Sequence, residues 1–211
     1  MKDVKEKDAS DYELIFMSFH ESAHTIVALH NFFQVYYVNV RDDVVKDGSS
    51  LWYTSYRIGD SELKKTILLL EIQVEYAGVL GERIVHKDLT GSQKLPMNLR
   101  VGVSYDIKLA SNTIRNNNLA EPGKDTANFK KNIQKKTEKI LLEYWDDVKL
   151  LAHTLYDKRK LQYLELKNLL VRKSKNKKFW KDRFSKIERI YVYDGNNHPD
   201  DNVIKKIILN K

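Results

Sequence analysis

His20-Glu21-Ser22-Ala23-His24 sets two imidazoles and a carboxylate within five residues of a segment whose apolar spacing predicts a buried helix. Positions four apart on a helix stack one turn above another. The rings of His20 and His24 can therefore close on one metal ion at Zn–N distances of about 2.0–2.1 Å. Glu21 is spaced to take a proton from a metal-bound water, the general-base role of an H-E-x-x-H helix in zinc hydrolases. The alternative is a pair of hydrogen-bonded core histidines. Burying three polar groups without a metal or hydrogen bonds would cost several kcal/mol, so the motif demands partners elsewhere in the chain.

The helix itself reads clearly. Ser10 and Glu13 have the spacing of a capping box. Leu14, Phe16, Met17, Phe19, Ala23, Ile26, Val27 and Leu29 then carry a largely buried helix to about His30. At 211 residues, 42% of them hydrophobic, the chain can bury one full core. No run approaches the ~20 consecutive apolar residues of a membrane span. The charged start, Met1 to Asp8, has no secretory h-region, and the chain has no cysteine. Disulfides and thiolate ligands are thereby excluded, a reducing cytoplasmic setting is expected, and any zinc must be held by His and carboxylate.

A formal net charge of +8 suits acidic partners, although Lys-rich composition is also common in soluble proteins and is the favoured reading of the charge alone. The local excess lies in Arg172-Lys173-Ser174-Lys175-Asn176-Lys177-Lys178, followed by Phe179 and Trp180. Residues 172–189 are accordingly expected to be an accessory surface for an acidic partner. Nucleic acid, through phosphate contacts and base stacking, is the less favoured occupant.

Between these ends, Phe33–Arg41 and Leu51–Arg57 are rich in β-branched and aromatic residues and read as strands, with a turn at Asp47-Gly48-Ser49-Ser50. Helical spacing returns from Ser61 to Val85, where Gly78 and Gly81 cost about 1 kcal/mol each against Ala and mark close helix packing. His86–Gly102 reads as a loop, and Ser104 as the cap of a helix from Tyr105 to Asn116. One long amphipathic segment, Thr126–Arg159, and a short one, Leu164–Leu170, follow. The remainder holds a strand at Ile190–Tyr193 and a turn at Asp194-Gly195-Asn196-Asn197. The expected fold is mainly α, with a small sheet or hairpin and a basic C-terminal extension.

A catalytic zinc needs a third protein ligand. His30 has the spacing of the third histidine in H-E-x-x-H-x-x-G-x-x-H enzymes, but Val27 stands where they break the helix with glycine, so His30 points elsewhere. Glu71, Glu75 and Glu82 on the Ser61–Val85 helix remain, with Asp106, and spacing does not choose among them.

The ordered set Phe19–His24, Tyr76-Ala77-Gly78-Val79-Leu80-Gly81-Glu82 and Gly102-Val103-Ser104-Tyr105-Asp106-Ile107-Lys108-Leu109-Ala110 resembles the peptidase domain of FtsH-type proteases, the M41 peptidases. The likeness covers roughly residues 11–170, including the closing Leu161–Leu166. It implies a zincin-type helical peptidase domain over residues 1–171, Zn2+ held by His20, His24 and Asp106, Glu21 as general base, and Glu82 hydrogen-bonded to a ligating imidazole. Asp106 is expected near the start of its helix, at the positive end of the dipole. The segment Leu51, Trp52, Tyr53 and Thr54 would form the sheet edge along which a polypeptide substrate lies.

The sequence also departs from that family. It holds no G-x-x-x-x-G-K-[ST] loop, so the ATPase module expected ahead of such a peptidase is missing and a separate ATPase becomes an expected partner. Ala23 replaces a usual glycine, and Val79 and Arg83 alter the neighbourhood of Glu82. The implied function is a zinc endopeptidase for unfolded or partner-delivered polypeptides. The alternative is a catalytically weak M41-like regulatory module with a basic tail.

Overall fold

The computed structural model describes residues 2–40, 49–53, 60–92, 100–120, 125–191 and 201–209. Among these, eight helices and a small sheet follow the order α1 (Lys2–His30), β1 (Gln34–Asn39), β2 (Ser49–Tyr53), α2 (Ser61–Thr90), α3 (Arg100–Asn116) and α4 (Thr126–Glu143). The chain continues through α5 (Trp145–Lys158), β3 (Lys160–Gln162), α6 (Tyr163–Lys173), α7 (Lys177–Ile190) and α8 (Asp201–Ile208). The fold is mainly α.

Every residue of α1 from Ser18 to Leu29 is buried, so this helix has no solvent face there and forms the centre of the molecule. It packs against α2 and α5, while α3 and α4 lie on α2. Ser10 is inside α1, which extends to Lys2, so the expected capping box does not start the helix.

α1 ends in a turn with paired bonds, Phe33 N–H to Ala28 O at 2.9 Å and Phe32 N–H to Leu29 O at 3.1 Å. Phe32, not glycine, takes the left-handed position at φ 67°. Its ring is 2% exposed and lies 3.7 Å from the Arg183 guanidinium carbon, and this packing offsets the roughly 1–2 kcal/mol conformational cost.

The sheet order is β2-β1-β3, all antiparallel. β1 buries Val35 and Val38 and carries an irregularity between Val35 and Tyr37. Ser49 and Ser50 pair within β2 rather than forming a turn; Asp47, Gly48 and Thr54–Arg57 lie outside the described residues. β3 was not expected, because three residues are too short to show a period; Leu161 pairs with Val38.

α2 starts at Asp60, whose carboxylate accepts the Leu63 N–H at 2.8 Å, and runs five residues past the expected end to the left-handed Gly91 cap. The segment expected as one helix over Thr126–Arg159 breaks at Tyr144. Neither Gly nor Pro marks the break. Tyr144 is instead held by the rings of Phe179 at 4.7 Å and Trp180 at 5.4 Å.

Those rings belong to α7, which corrects the expectation for residues 172–189. Trp180, Phe184 and Ile187 are fully buried and Ile190 nearly so, a helical stripe that joins the main core. A boundary at 171 would separate α7 from α6, on which it packs. Ile190 is helical rather than the start of a strand. Val192, Tyr193 and the expected turn at 194–197 lie outside the described residues. The basic residues Arg172, Lys173, Lys177 and Lys178 do stay on the exposed face.

Candidate metal centre

His20 and His24 project from the buried middle of α1 onto α2 at the point where α2 has no side chain. A Cβ on Gly78 would lie 2.4 Å from His24 Nε2 and 2.6 Å from His20 Nε2. One turn on, a Cβ at Gly81 would lie 2.5 Å from the Cβ of Ala23. The two glycines thus let α1 approach α2 and make room for the imidazoles.

The rings are fixed from behind. His24 Nδ1 lies 2.7 Å from the Val74 carbonyl oxygen, and since a carbonyl only accepts, Nδ1 carries the hydrogen. His20 Nδ1 likewise donates to Glu82 Oε1 at 2.8 Å. In the neutral tautomers both Nε2 atoms keep their lone pairs. These atoms face each other at 2.9 Å.

Asp106 completes the cluster from α3. Its Oδ2 lies 3.2 Å from His20 Nε2 and 3.3 Å from His24 Nε2, buried and without a hydrogen-bond partner among the described residues. Three electron-pair donors so close repel one another unless positive charge stands among them. Four tetrahedral ligands at zinc bond lengths are separated by about 3.3–3.4 Å, close to the spacings here. Among the described residues, His20, His24 and Asp106 are the group of histidines and carboxylates able to hold a metal ion. The donor set, two nitrogens and one oxygen with a position left over, fits zinc.

The electrostatics favour positive charge at the cluster, which a proton or a metal ion can supply. Burial lowers the His20 pKa, but Asp106, Glu82 and Glu21 outweigh it and raise the pKa well above the ordinary value. Burial likewise pushes Asp106 up, and the two imidazoles overcome it to hold the carboxylate well below the usual range. Asp106 is in the second turn of α3, since the helix begins at Arg100 rather than Tyr105, and Ser104 is inside it. The helix dipole falls off within the first turn, so the imidazoles, not the dipole, favour the ionised form.

Glu21 is 4% exposed, on the same buried stretch of α1, and near enough for its charge to act on His20. Glu82 is 5% exposed. Glu75, another candidate ligand, accepts instead from Thr113 at 3.4 Å, and burial, with Glu71 and Asp106 nearby, pushes it up to about 8. Glu71 is half-buried on α2 outside the metal-ligand group, and His30 faces Asn31, Tyr144 and Phe179.

Leu51, Trp52 and Tyr53 are in β2, an edge strand of the described sheet, while Thr54 lies outside the described residues. Two participants carried little signal in the sequence. The Val74 carbonyl carried none, because every residue has one, and Gly78 marked close helix packing without showing that the imidazoles fill the space it leaves. No protein-family model matches the chain, and no curated protein matches it.

Proposed function

We propose that this chain is a zinc metallopeptidase of the M41 type that hydrolyses peptide bonds in unfolded or partner-delivered polypeptides. The observation that carries the reading is the convergence of His20 Nε2, His24 Nε2 and Asp106 Oδ2 within 2.9–3.3 Å, beside a buried Glu21. His20, His24 and Asp106 would hold the ion. When bound, zinc supplies a Lewis acid that polarises a carbonyl and makes water nucleophilic near neutral pH.

The Val74 carbonyl and Glu82 keep the two imidazoles in the ligating tautomer and orientation. Glu21 accepts a proton from the attacking water and delivers it to the departing amine nitrogen. One water is consumed, and a carboxylate and an amine are released. Among the described residues no further strand pairs with the outer edge of β2, which would offer backbone groups to an extended peptide. No transmembrane-length apolar helix occurs among the described residues, and no nucleotide is needed for the chemistry.

Protein purified without added metal should contain about one zinc per chain and cleave an unstructured casein-like substrate without ATP. Glu21→Gln should keep the zinc and lose at least about 100-fold in rate, the usual share of a general base. Cleavage unchanged in that variant, or protein that binds no zinc, would overturn the reading.

A further inference from the structure

Cations gather at the corner where α6 gives way to α7. Arg172, Lys173, Lys177, Lys178 and Lys181 are all exposed, and none forms an ion pair among the described residues. The neighbouring carboxylates are already engaged. Asp146 holds Lys149 and Lys175, each at 2.7 Å, and Asp182 holds Lys186 at 2.8 Å. Asp147 is buried and accepts from Asn176 Nδ2 at 2.9 Å and Trp180 Nε1 at 2.8 Å. These bonds pin the corner to α5, so its charges stand in place before any partner arrives, without the ordering cost that a flexible basic tail would bear on binding.

The helix ends sharpen the excess. Arg172 and Lys173 suit the last turn of α6, where cations meet the negative end of the dipole. Lys177 and Lys178 do the opposite: they stand in the first turn of α7, which has no acidic residue and no side-chain cap. Such a start weakens the helix by itself and is relieved by an anion. On α4, by contrast, Glu138 and Glu143 lie three and four residues from Lys135 and Lys139, within reach to offset them.

The rings and the number of charges decide what the corner takes. Trp180 is fully buried and Phe179 packs on Tyr144 and Trp180, so neither ring is turned outward to stack a base. A duplex binder making about 6–10 phosphate contacts needs more cations than this corner supplies. A short run of carboxylates needs fewer. The chain itself has no run of three acidic residues, so a second copy does not provide one. We propose that this corner docks an Asp- and Glu-rich segment of a partner polypeptide. The surface is apart from the metal cluster and goes beyond the metallopeptidase reading, so binding alone tests it.

Fluorescence anisotropy of the full chain with a labelled, unstructured Glu-Gly repeat peptide should show binding at least about tenfold tighter than with its Gln-Gly counterpart, the sum of several exposed ion pairs. Binding should weaken as salt rises. Lys177→Glu with Lys178→Glu should erase the preference while slightly raising the thermal midpoint, because carboxylates suit the first turn of a helix. The same charge change on α4, Lys131→Glu with Lys135→Glu, should keep most of the preference. Equal binding or no binding of the two peptides, a preference that survives the α7 substitutions, an equal loss in the α4 variant, or a loss accompanied by a lower midpoint would overturn the docking surface. Tighter binding of single-stranded or duplex DNA of matched charge than of the Glu peptide would also overturn it and assign the corner to nucleic acid.

Discussion

A methyl group on Gly78 would stand 2.4 Å from His24 Nε2 and 2.5 Å from His20 Cε1, and neither ring is free to step aside. Each is tied through Nδ1 to α2, the helix that carries the glycine. Gly78→Ala therefore gains up to about 1 kcal/mol of helix propensity and loses more to overpacking, about 1–3 kcal/mol. We expect a lower thermal midpoint and at least a tenfold weaker zinc affinity by competition with a chromophoric chelator; unchanged affinity would contradict the placement of the rings. Glu75 makes a second test. Its folded pKa of about 8 lies above the ordinary 4.5, so the folded chain keeps a proton that the unfolded chain releases between those values. Stability must fall as pH rises through that window, by up to a few kcal/mol. In metal-free protein, Glu75→Gln should flatten the decline in denaturation midpoint from pH 5 to pH 8 relative to wild type. Parallel curves would show that Glu75 is ionised in the fold.

The contact between α1 and α2 depends on which helix carries the small residue. Ala23 Cβ is the near neighbour of a side chain at Gly81, with Phe19 O at 3.4 Å and Ala23 Cα at 4.0 Å. Gly81→Ala alone should destabilise by about 1–3 kcal/mol. The exchange Ala23→Gly with Gly81→Ala moves the methyl across the interface and should recover most of that loss in chemical denaturation. Failure to recover would mean that the helices do not meet at these positions. α1 and α2 were legible in the sequence because each keeps helical spacing over many residues, and the H-E-x-x-H pair is local to one of them. Asp106 was not legible from spacing, since 82 residues separate it from His24 and only a family likeness selected it. Elements fixed by distant packing escaped the reading: the break at Tyr144 depends on rings from α7, β3 on pairing with β1, and the turn at Phe32 on Arg183.

At the scale of the molecule, α7 decides where the chain can be cut. Removing residues after Val171 exposes the pockets filled by Trp180, Phe184 and Ile187 and strips Tyr144 and Phe32 of their partners. Loss of one large aromatic core residue costs about 3–5 kcal/mol, and several together exceed the usual 5–15 kcal/mol stability of a domain. A chain ending at Val171 should therefore lack a cooperative thermal transition and aggregate. A cooperative melt with normal zinc content would restore the division into a peptidase domain and an appendage. α8 packs Ile204 and Ile208 into the core, and its Lys205 adds a half-exposed pair with Asp60 at 2.7 Å, of small energetic weight.

α3 rests on α2, and through Asp106 it also reaches across to the histidines of α1. An ion held there would rivet α1 to α3, with α2 holding the two rings from behind, and its binding energy would count as folding energy by mass action. Cellular zinc supply would then set how long the molecule survives as well as how fast it works. Without the ion the link from Asp106 to α1 would be lost, and a chain loosened there would be cut more readily by proteases.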